Sequence, residues 1–337
     1  MIINIEPNTS QKNVNQIASI LKKAGAKYHL TLFGGHPVFV SDEVPVTINH
    51  AIKKIPGFDG FLSTDYPFPL CHFGMCPDGS VIRVRDFAVG ADNFALIAGP
   101  CTVESEKQMM VTAEQVQAAG ATALRGGAFK PRTSPYAFQG LKLEGLKILQ
   151  KVRKKTGIVT VTEAMSPEEI KLVAEYADVV QIGTRNAQNY RLLEACGEAR
   201  IPILLKRGFS CTLEEFMMAA EYILAGGNDQ VILCERGIRT FEEHVRYTLP
   251  VATISVLKTV SHLPVVVDPS HAAGRADWVP SLAFASVAAG ADGLLVEVHP
   301  DPDHALCDGR QSLTPDEFAE TAKTCFEIRK IVQPVLW

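Results

Sequence analysis

From Asn93 onward the chain repeats one pattern eight times: a short apolar run rich in β-branched residues, then a stretch with helical apolar spacing. The runs are FALIAGP (94–100), ATALRGG (121–127), IVTVTEAM (158–165), VVQIGTRN (179–186), PILLKRG (202–208), QVILCERG (230–237), PVVVDPSH (264–271) and GLLVEVHP (293–300). Eight such units in about 245 residues suit a closed (β/α)8 TIM barrel. An open doubly wound sheet has no reason to stop at eight. Helix starts support this phasing, because Ser105 with Gln108, Ser166 with Glu169, Thr212 with Glu215 and Thr314 with Glu317 each have capping-box spacing.

Residues 1–65 read differently, as strand, helix, two strands flanking Gly34-Gly35, helix and strand. This βαββαβ order predicts a small ferredoxin-like domain. Residues 66–92 are rich in Pro, Gly, Cys and Phe and form a connector carrying a hairpin in SVIRVRDFAV, which leaves 93–337 for the barrel. A chain of 337 residues with 47% hydrophobic content can bury a sizeable core, so disorder is excluded. Lys and Arg total 33 against 37 Asp and Glu, giving no bulk attraction to nucleic acid or anionic membrane. The N-terminus lacks a basic segment followed by an apolar run, and no stretch reaches the ~18 uncharged apolar residues of a membrane span. A cytoplasmic protein is expected, with its eight scattered cysteines as reduced, buried thiols.

In a barrel of this kind the chemistry gathers at the C-terminal strand ends. Those ends carry Cys101, Arg125, Glu163, Arg185, Lys206, Glu235-Arg236, His271 and Glu297. Closure places strand eight beside strand one, so Cys101, His271 and Glu297 become neighbours, with Asp308 in the following CDGRQ turn. A thiolate, an imidazole and two carboxylates suit one divalent ion such as Mn2+, Fe2+, Co2+ or Zn2+ better than Mg2+ or Ca2+. Arg125, Lys130, Arg132, Arg185, Lys206 and Arg236 form a second group. Six like charges in one pocket repel unless anions fill it, and phosphate and carboxylate groups are the natural occupants. Singly, each residue has an ordinary structural reading, a strand Cys as a small hydrophobe and a strand-end Arg as a solvated charge. Their joint placement carries the argument. His299 and Asp301 are either outer partners of the metal set or loop residues.

GPCTVES (99–105), RGGAFKPRTSPYAFQG (125–140), QIGTRNAQN (181–189), LLKRG (204–208), DPSHAAG (268–274), VEVHPDP (296–302) and ALCDGRQSL (305–313) resemble the 3-deoxy-D-arabino-heptulosonate 7-phosphate (DAHP) synthases. The resemblance is to the subfamily similar to 3-deoxy-8-phosphooctulosonate synthases, and it covers the whole barrel. It implies a transferase that condenses phosphoenolpyruvate with erythrose 4-phosphate and water, the first step of the shikimate pathway to aromatic amino acids. It implies Cys101, His271, Glu297 and Asp308 as metal ligands. Arg125, Lys130, Arg185, Lys206 and Arg236 are implied as phosphoenolpyruvate contacts with Glu163 near its phosphate, and Arg132 and Thr133 as contacts to the aldose phosphate. Lys130, Glu163 and His271 are candidates for activating the attacking water.

KPRTS (130–134) resembles the erythrose 4-phosphate branch, whereas the alternative, an octulosonate synthase using arabinose 5-phosphate, carries an Asn-containing segment there. The N-terminal domain implies either feedback control by an aromatic amino acid such as tyrosine or phenylalanine, or an appendage for assembly. A homotetramer is expected. Cys307 stands where many relatives have a small hydroxyl residue, and a second thiol beside Asp308 could pair oxidatively with Cys101 and expel the metal. Two rival classes are a Schiff-base aldolase using Lys206, which needs no metal set, and a phosphometabolite sensor that binds without turnover.

Overall fold

The computed structural model describes every residue except Asp42, Thr133 and Trp337, so Thr133, one of the expected aldose-phosphate contacts, lies outside the described residues. Strand β1 (Ile2–Ile5), helix α1 (Gln11–Lys23), β2 (Tyr28–Phe33), β3 (His36–Ser41), α2 (Val46–Lys53) and β4 (Phe58–Leu62) build the N-terminal domain. Its strands form an antiparallel sheet of order β2-β3-β1-β4, as the ferredoxin-like reading requires. Gly34 and Gly35, at φ +57° and +81°, close the two-residue β2–β3 turn in the left-handed conformation that such hairpins need.

Strand periodicity splits this sheet into two apolar faces. Ile3 pairs with Phe39 and packs with Ile17 and Leu21 of α1, while Ile2 pairs with Val40 and joins the barrel's own core. The domain is therefore docked through its sheet. Polar contacts reinforce the seam: His29 Nε2 lies 2.9 Å from the Ala225 carbonyl, and the Gly34 N–H donates to Asp229 Oδ2 at 2.9 Å.

The connector forms the hairpin β5 (Ile82–Val84) and β6 (Phe87–Val89). Eight parallel strands then close a barrel: β7 (Ala95–Gly99), β8 (Ala123–Arg125), β9 (Val159–Ala164), β10 (Val179–Ile182), β11 (Ile203–Lys206), β12 (Val231–Glu235), β13 (Val265–Val267) and β14 (Gly293–Glu297). Between and after them lie α3 (Glu106–Ala118), α4 (Leu143–Thr156), α5 (Pro167–Tyr176), α6 (Tyr190–Glu198), α7 (Leu213–Ala225), α8 (Ala252–Val260), α9 (Pro269–Ala273), α10 (Val279–Ala288) and α11 (Pro315–Leu336). Strand β14 pairs with β7, which brings the first, seventh and eighth barrel strands side by side.

Ile82, Phe87 and Val89 of the hairpin pack on the inward Ala95, Ile97, Val159, Val179 and Leu204, covering the barrel's N-terminal mouth with apolar side chains. The opposite mouth is where polar residues converge. Two of the four expected capping boxes form reciprocally, at Thr212–Glu215 and Thr314–Glu317. At Ser105 and Ser166 the serine caps its helix, but the Gln108 and Glu169 side chains take the N–H groups of Glu104 and Met165 instead, one residue before the cap.

Candidate active site

The two groups read from the strand ends meet around one cavity of about 300 Å3. Arg125, Lys130, Arg132, Arg185, Lys206 and Arg236 all line it, together with Glu163, His271, Cys307 and Asp308. Cys101, His271, Glu297 and Asp308 each offer a donor atom, and these atoms lie within 4.8 Å of one another. Cys101 stands two residues beyond β7, and Glu297 ends β14. His271 is not on a strand at all. Strand β13 stops at Val267, and the Asp268-Pro269 pair starts the short helix α9 that carries the imidazole. Asp308 holds a left-handed φ of +54°, a conformation that aspartate tolerates better than most side chains.

Each donor is oriented by a neighbour. Glu297 Oε1 accepts from Arg125 Nη1 at 2.5 Å and Oε2 from Gln311 Nε2 at 2.6 Å. His271 Nε2 faces Glu297 Oε1 at 3.5 Å and Asp308 Oδ2 at 3.9 Å, while Nδ1 lies 2.7 Å from Asp268 Oδ2. Arg246 Nη1 donates to Gln311 Oε1 at 2.6 Å and to Asp308 Oδ1 at 3.3 Å. Burial pushes the Glu297 carboxyl up, but the charges of His271 and Arg125 outweigh it and hold the group below its usual range. Asp308 is likewise held low, burial being overcome by His271 and Arg246, and burial keeps His271 below the ordinary imidazole value. Ionised carboxylates and a neutral imidazole are the protonation states that a divalent ion requires. The Cys307 thiol and burial push the Cys101 thiol up, so this donor would give up its proton as an ion binds; with that, the four clustered donors fit one ion.

The cations are less isolated than their sequence positions imply. Arg125 is paired with Glu297, Lys206 Nζ lies 2.5 Å from Asp268 Oδ2, and Lys130 Nζ donates to Cys101 Sγ at 3.0 Å and to the Cys101 carbonyl at 3.1 Å. Protein groups thus offset part of the repulsion that the sequence assigned wholly to bound anions. Arg236 differs. It is buried, its guanidinium lies 3.9 Å from the Tyr247 ring centroid and 5.2 Å from that of Phe209, and its Nε and Nη1 have no hydrogen-bond partner among the described residues. Such a fork is available to an anion. Arg185 approaches the same Phe209 ring at 5.4 Å. Glu163 accepts from Gln181 Nε2 at 3.2 Å, and burial pushes its carboxyl above the usual range. A Cβ on Gly183 would overlap Glu163 Oε1, so this glycine is what lets the carboxylate sit there.

All eight cysteines are free, and seven are buried. Cys307 Sγ lies 3.2 Å from Cys101 Sγ and 2.5 Å from Arg132 Nη1. His299 turns away from the donor set toward Glu104 Oε2, at 3.4 Å, and its Nδ1 accepts from the Asp301 N–H, so both residues shape a loop. Sequence reading missed Asp268, Gln181, Arg246, Gln311, Phe209 and Tyr247. Asp268 was accessible as the N-cap residue before a helix-starting Pro, but Arg246 and Tyr247 lie in the long β12–α8 loop, where no strand end marks them.

Residues 78–334 match the DAHP synthetase I family. The chain belongs to that family. It is 41% identical over 333 residues to the phospho-2-dehydro-3-deoxyheptonate aldolase of Thermotoga maritima, covering 98% of this chain and 97% of that one. The crystal structure of the T. maritima DAHP synthase superposes with a TM-score of 0.79 at 40% identity, over 98% of both chains. A truncated form of the T. maritima enzyme gives a TM-score of 0.74 at 45% identity over 79% of this chain. The 2-dehydro-3-deoxyphosphooctonate aldolase of Syntrophotalea carbinolica is 34% identical over 75% of this chain. Similarity to the heptonate enzyme thus runs through the N-terminal domain as well as the barrel.

Proposed function

We propose that this chain condenses phosphoenolpyruvate with erythrose 4-phosphate and water, giving DAHP and phosphate, with one divalent ion held by Cys101, His271, Glu297 and Asp308. The observation that carries this reading is the cavity lined by six cations together with His271 and Asp308, two members of the four-donor cluster completed by the buried Cys101 and Glu297. Membership of the DAHP synthetase I family selects the reaction, the first step of the shikimate pathway, and the match along 98% of the chain to a heptonate enzyme favours it over octulosonate synthesis.

The bound ion supplies Lewis acidity for a carbonyl oxygen on which negative charge grows. The chain does the rest. Arg236, Arg185 and Lys206 hold the phosphate and carboxylate of phosphoenolpyruvate, while Arg132 and Ser134 at the cavity rim receive the aldose phosphate. Holding two polyanions in contact overcomes their repulsion and turns a bimolecular encounter into an oriented one. Lys130, against Cys101, places an ammonium beside the donor set, where it can donate to the developing oxyanion. Of the three candidates for activating water, His271 is occupied as a ligand and Lys130 is charged and paired. Glu163 keeps Oε1 without a hydrogen-bond partner among the described residues, which makes it the proton acceptor in this reading. A Schiff-base role for Lys206 is disfavoured by its ion pair with Asp268, which engages the amine, and by the metal donor set, which such chemistry does not need.

Purified protein assayed with phosphoenolpyruvate and either erythrose 4-phosphate or arabinose 5-phosphate tests this directly. We expect faster turnover with the four-carbon sugar, loss on chelation and recovery with Mn2+ or a similar ion. Preference for the five-carbon sugar would overturn the substrate, and full turnover without metal would overturn the ion's role. The N-terminal domain is assigned to feedback control by an aromatic amino acid, in a cytoplasmic homotetramer. Inhibition by tyrosine or phenylalanine should disappear in a chain beginning near Gly90; equal sensitivity of both forms removes the regulatory role.

The Cys101–Cys307 approach carries a further prediction. Peroxide should convert the two thiols to one disulfide and itself to two waters, removing a donor and releasing the ion, with recovery on adding a dithiol. Thiol counting and metal release report both events. A Cys307→Ser chain that loses metal equally fast excludes the pair as the cause.

A further inference from the structure

Asp268 belongs to neither the metal set nor the cation cluster, yet it touches both. It is fully buried, and Oδ1 accepts the His271 N–H at 2.9 Å, capping α9. Oδ2 lies 2.5 Å from Lys206 Nζ and 2.7 Å from His271 Nδ1, the second approach being bent out of line for a hydrogen bond. One oxygen therefore serves two donors with different tasks. A carboxylate facing Nδ1 favours the ring proton there, leaving the Nε2 lone pair toward Glu297 and Asp308. Lys206, on the other side, lines the anion cavity.

We infer that Asp268 is a positioning residue that couples the two halves of the site, so that metal loading and anion binding at Lys206 strengthen each other. This rests on the metal-assisted reading above. With the Nε2 lone pair engaged, the Nδ1–H becomes a stronger donor and draws Oδ2 toward the imidazole. Lys206 then shares less of its charge with the carboxylate and presents more of it to the cavity. An anion that pulls the ammonium off Oδ2 does the converse, leaving the carboxylate to His271. Both shifts have the same sign, and linkage makes the two affinity changes equal.

The test is binding to the full chain, without turnover. The Mn2+ dissociation constant is measured with and without saturating phosphoenolpyruvate, and the phosphoenolpyruvate constant with and without Mn2+. In the unaltered protein each ligand should tighten the other by one common factor, on the order of 5- to 100-fold. Asp268→Asn should weaken Mn2+ binding by about 10- to 100-fold and bring the coupling factor close to one. Weakened binding with coupling intact would mean that plain charge attraction links the ligands, and the inference fails. Lys206→Met gives a second reading that does not depend on removing a buried carboxylate. With Oδ2 left to His271, Mn2+ affinity should hold or rise, and a fall as large as in Asp268→Asn overturns the sharing of that oxygen. If the unaltered protein binds no Mn2+, the metal-assisted reading itself fails, an outcome distinct from surviving coupling.

Discussion

Replacing Cys101 by alanine is expected to lower Mn2+ affinity by more than about 100-fold, since even the loss of an outer partner costs 10- to 100-fold at metal sites. The thiol is buried and lies 3.2 Å from Asp308 Oδ2, and alanine has no donor atom to put in its place. Turnover should fall with the metal. Loss of several kcal/mol of charge stabilisation corresponds to about 100-fold or more in kcat. Chelator competition gives the affinity and a steady-state assay gives the rate. A Cys101→Ala protein that keeps both would remove the thiol from the donor set. A protein that keeps the metal but loses turnover would instead place the thiol's importance in its contact with Lys130.

The second large effect is expected at Arg236. Truncating one partner of a buried, hydrogen-bonded charge pair costs about 3 kcal/mol, so Arg236→Ala should lower kcat/KM for phosphoenolpyruvate by about 100-fold. The loss should appear mainly in KM, because the guanidinium is held against the Tyr247 ring, itself stacked on Phe209, before substrate arrives and grips ground state and transition state alike. Arg236→Lys should recover only part of it, since a lysine carries the charge but not the planar fork that stacks on Tyr247. An unchanged KM with a lowered kcat would move Arg236 from binding to transition-state stabilisation.

These two residues also show how differently parts of the site could be read from sequence. Cys101 follows an apolar run whose position in an eightfold pattern makes it a strand-end residue, and closure of the barrel makes it a neighbour of Glu297. That inference needed only periodicity and the geometry of a closed sheet. Arg236 was equally legible as a strand-end charge. Its stacking was not, because Tyr247 reaches it from a loop 11 positions away in sequence that has no strand or helix pattern of its own. His271 was placed with the right neighbours but on the wrong element. The apolar run stops four residues earlier, and Pro269 starts a helix that turns the imidazole toward Glu297.

The eightfold alternation by itself determined the barrel and the face on which the chemistry lies, and it put Cys101 and Glu297 at the ends of adjacent strands, because strand adjacency follows from periodicity and closure; His271 and Asp308 reach them from a helix and a loop. Only the tertiary structure decided how the charges are balanced. Arg125 with Glu297, Lys206 with Asp268, and Arg246 with Gln311 and Asp308 join residues from 62 to 172 positions apart. Pairings at that range depend on where loops and side chains settle once the barrel has closed, and no local pattern encodes them.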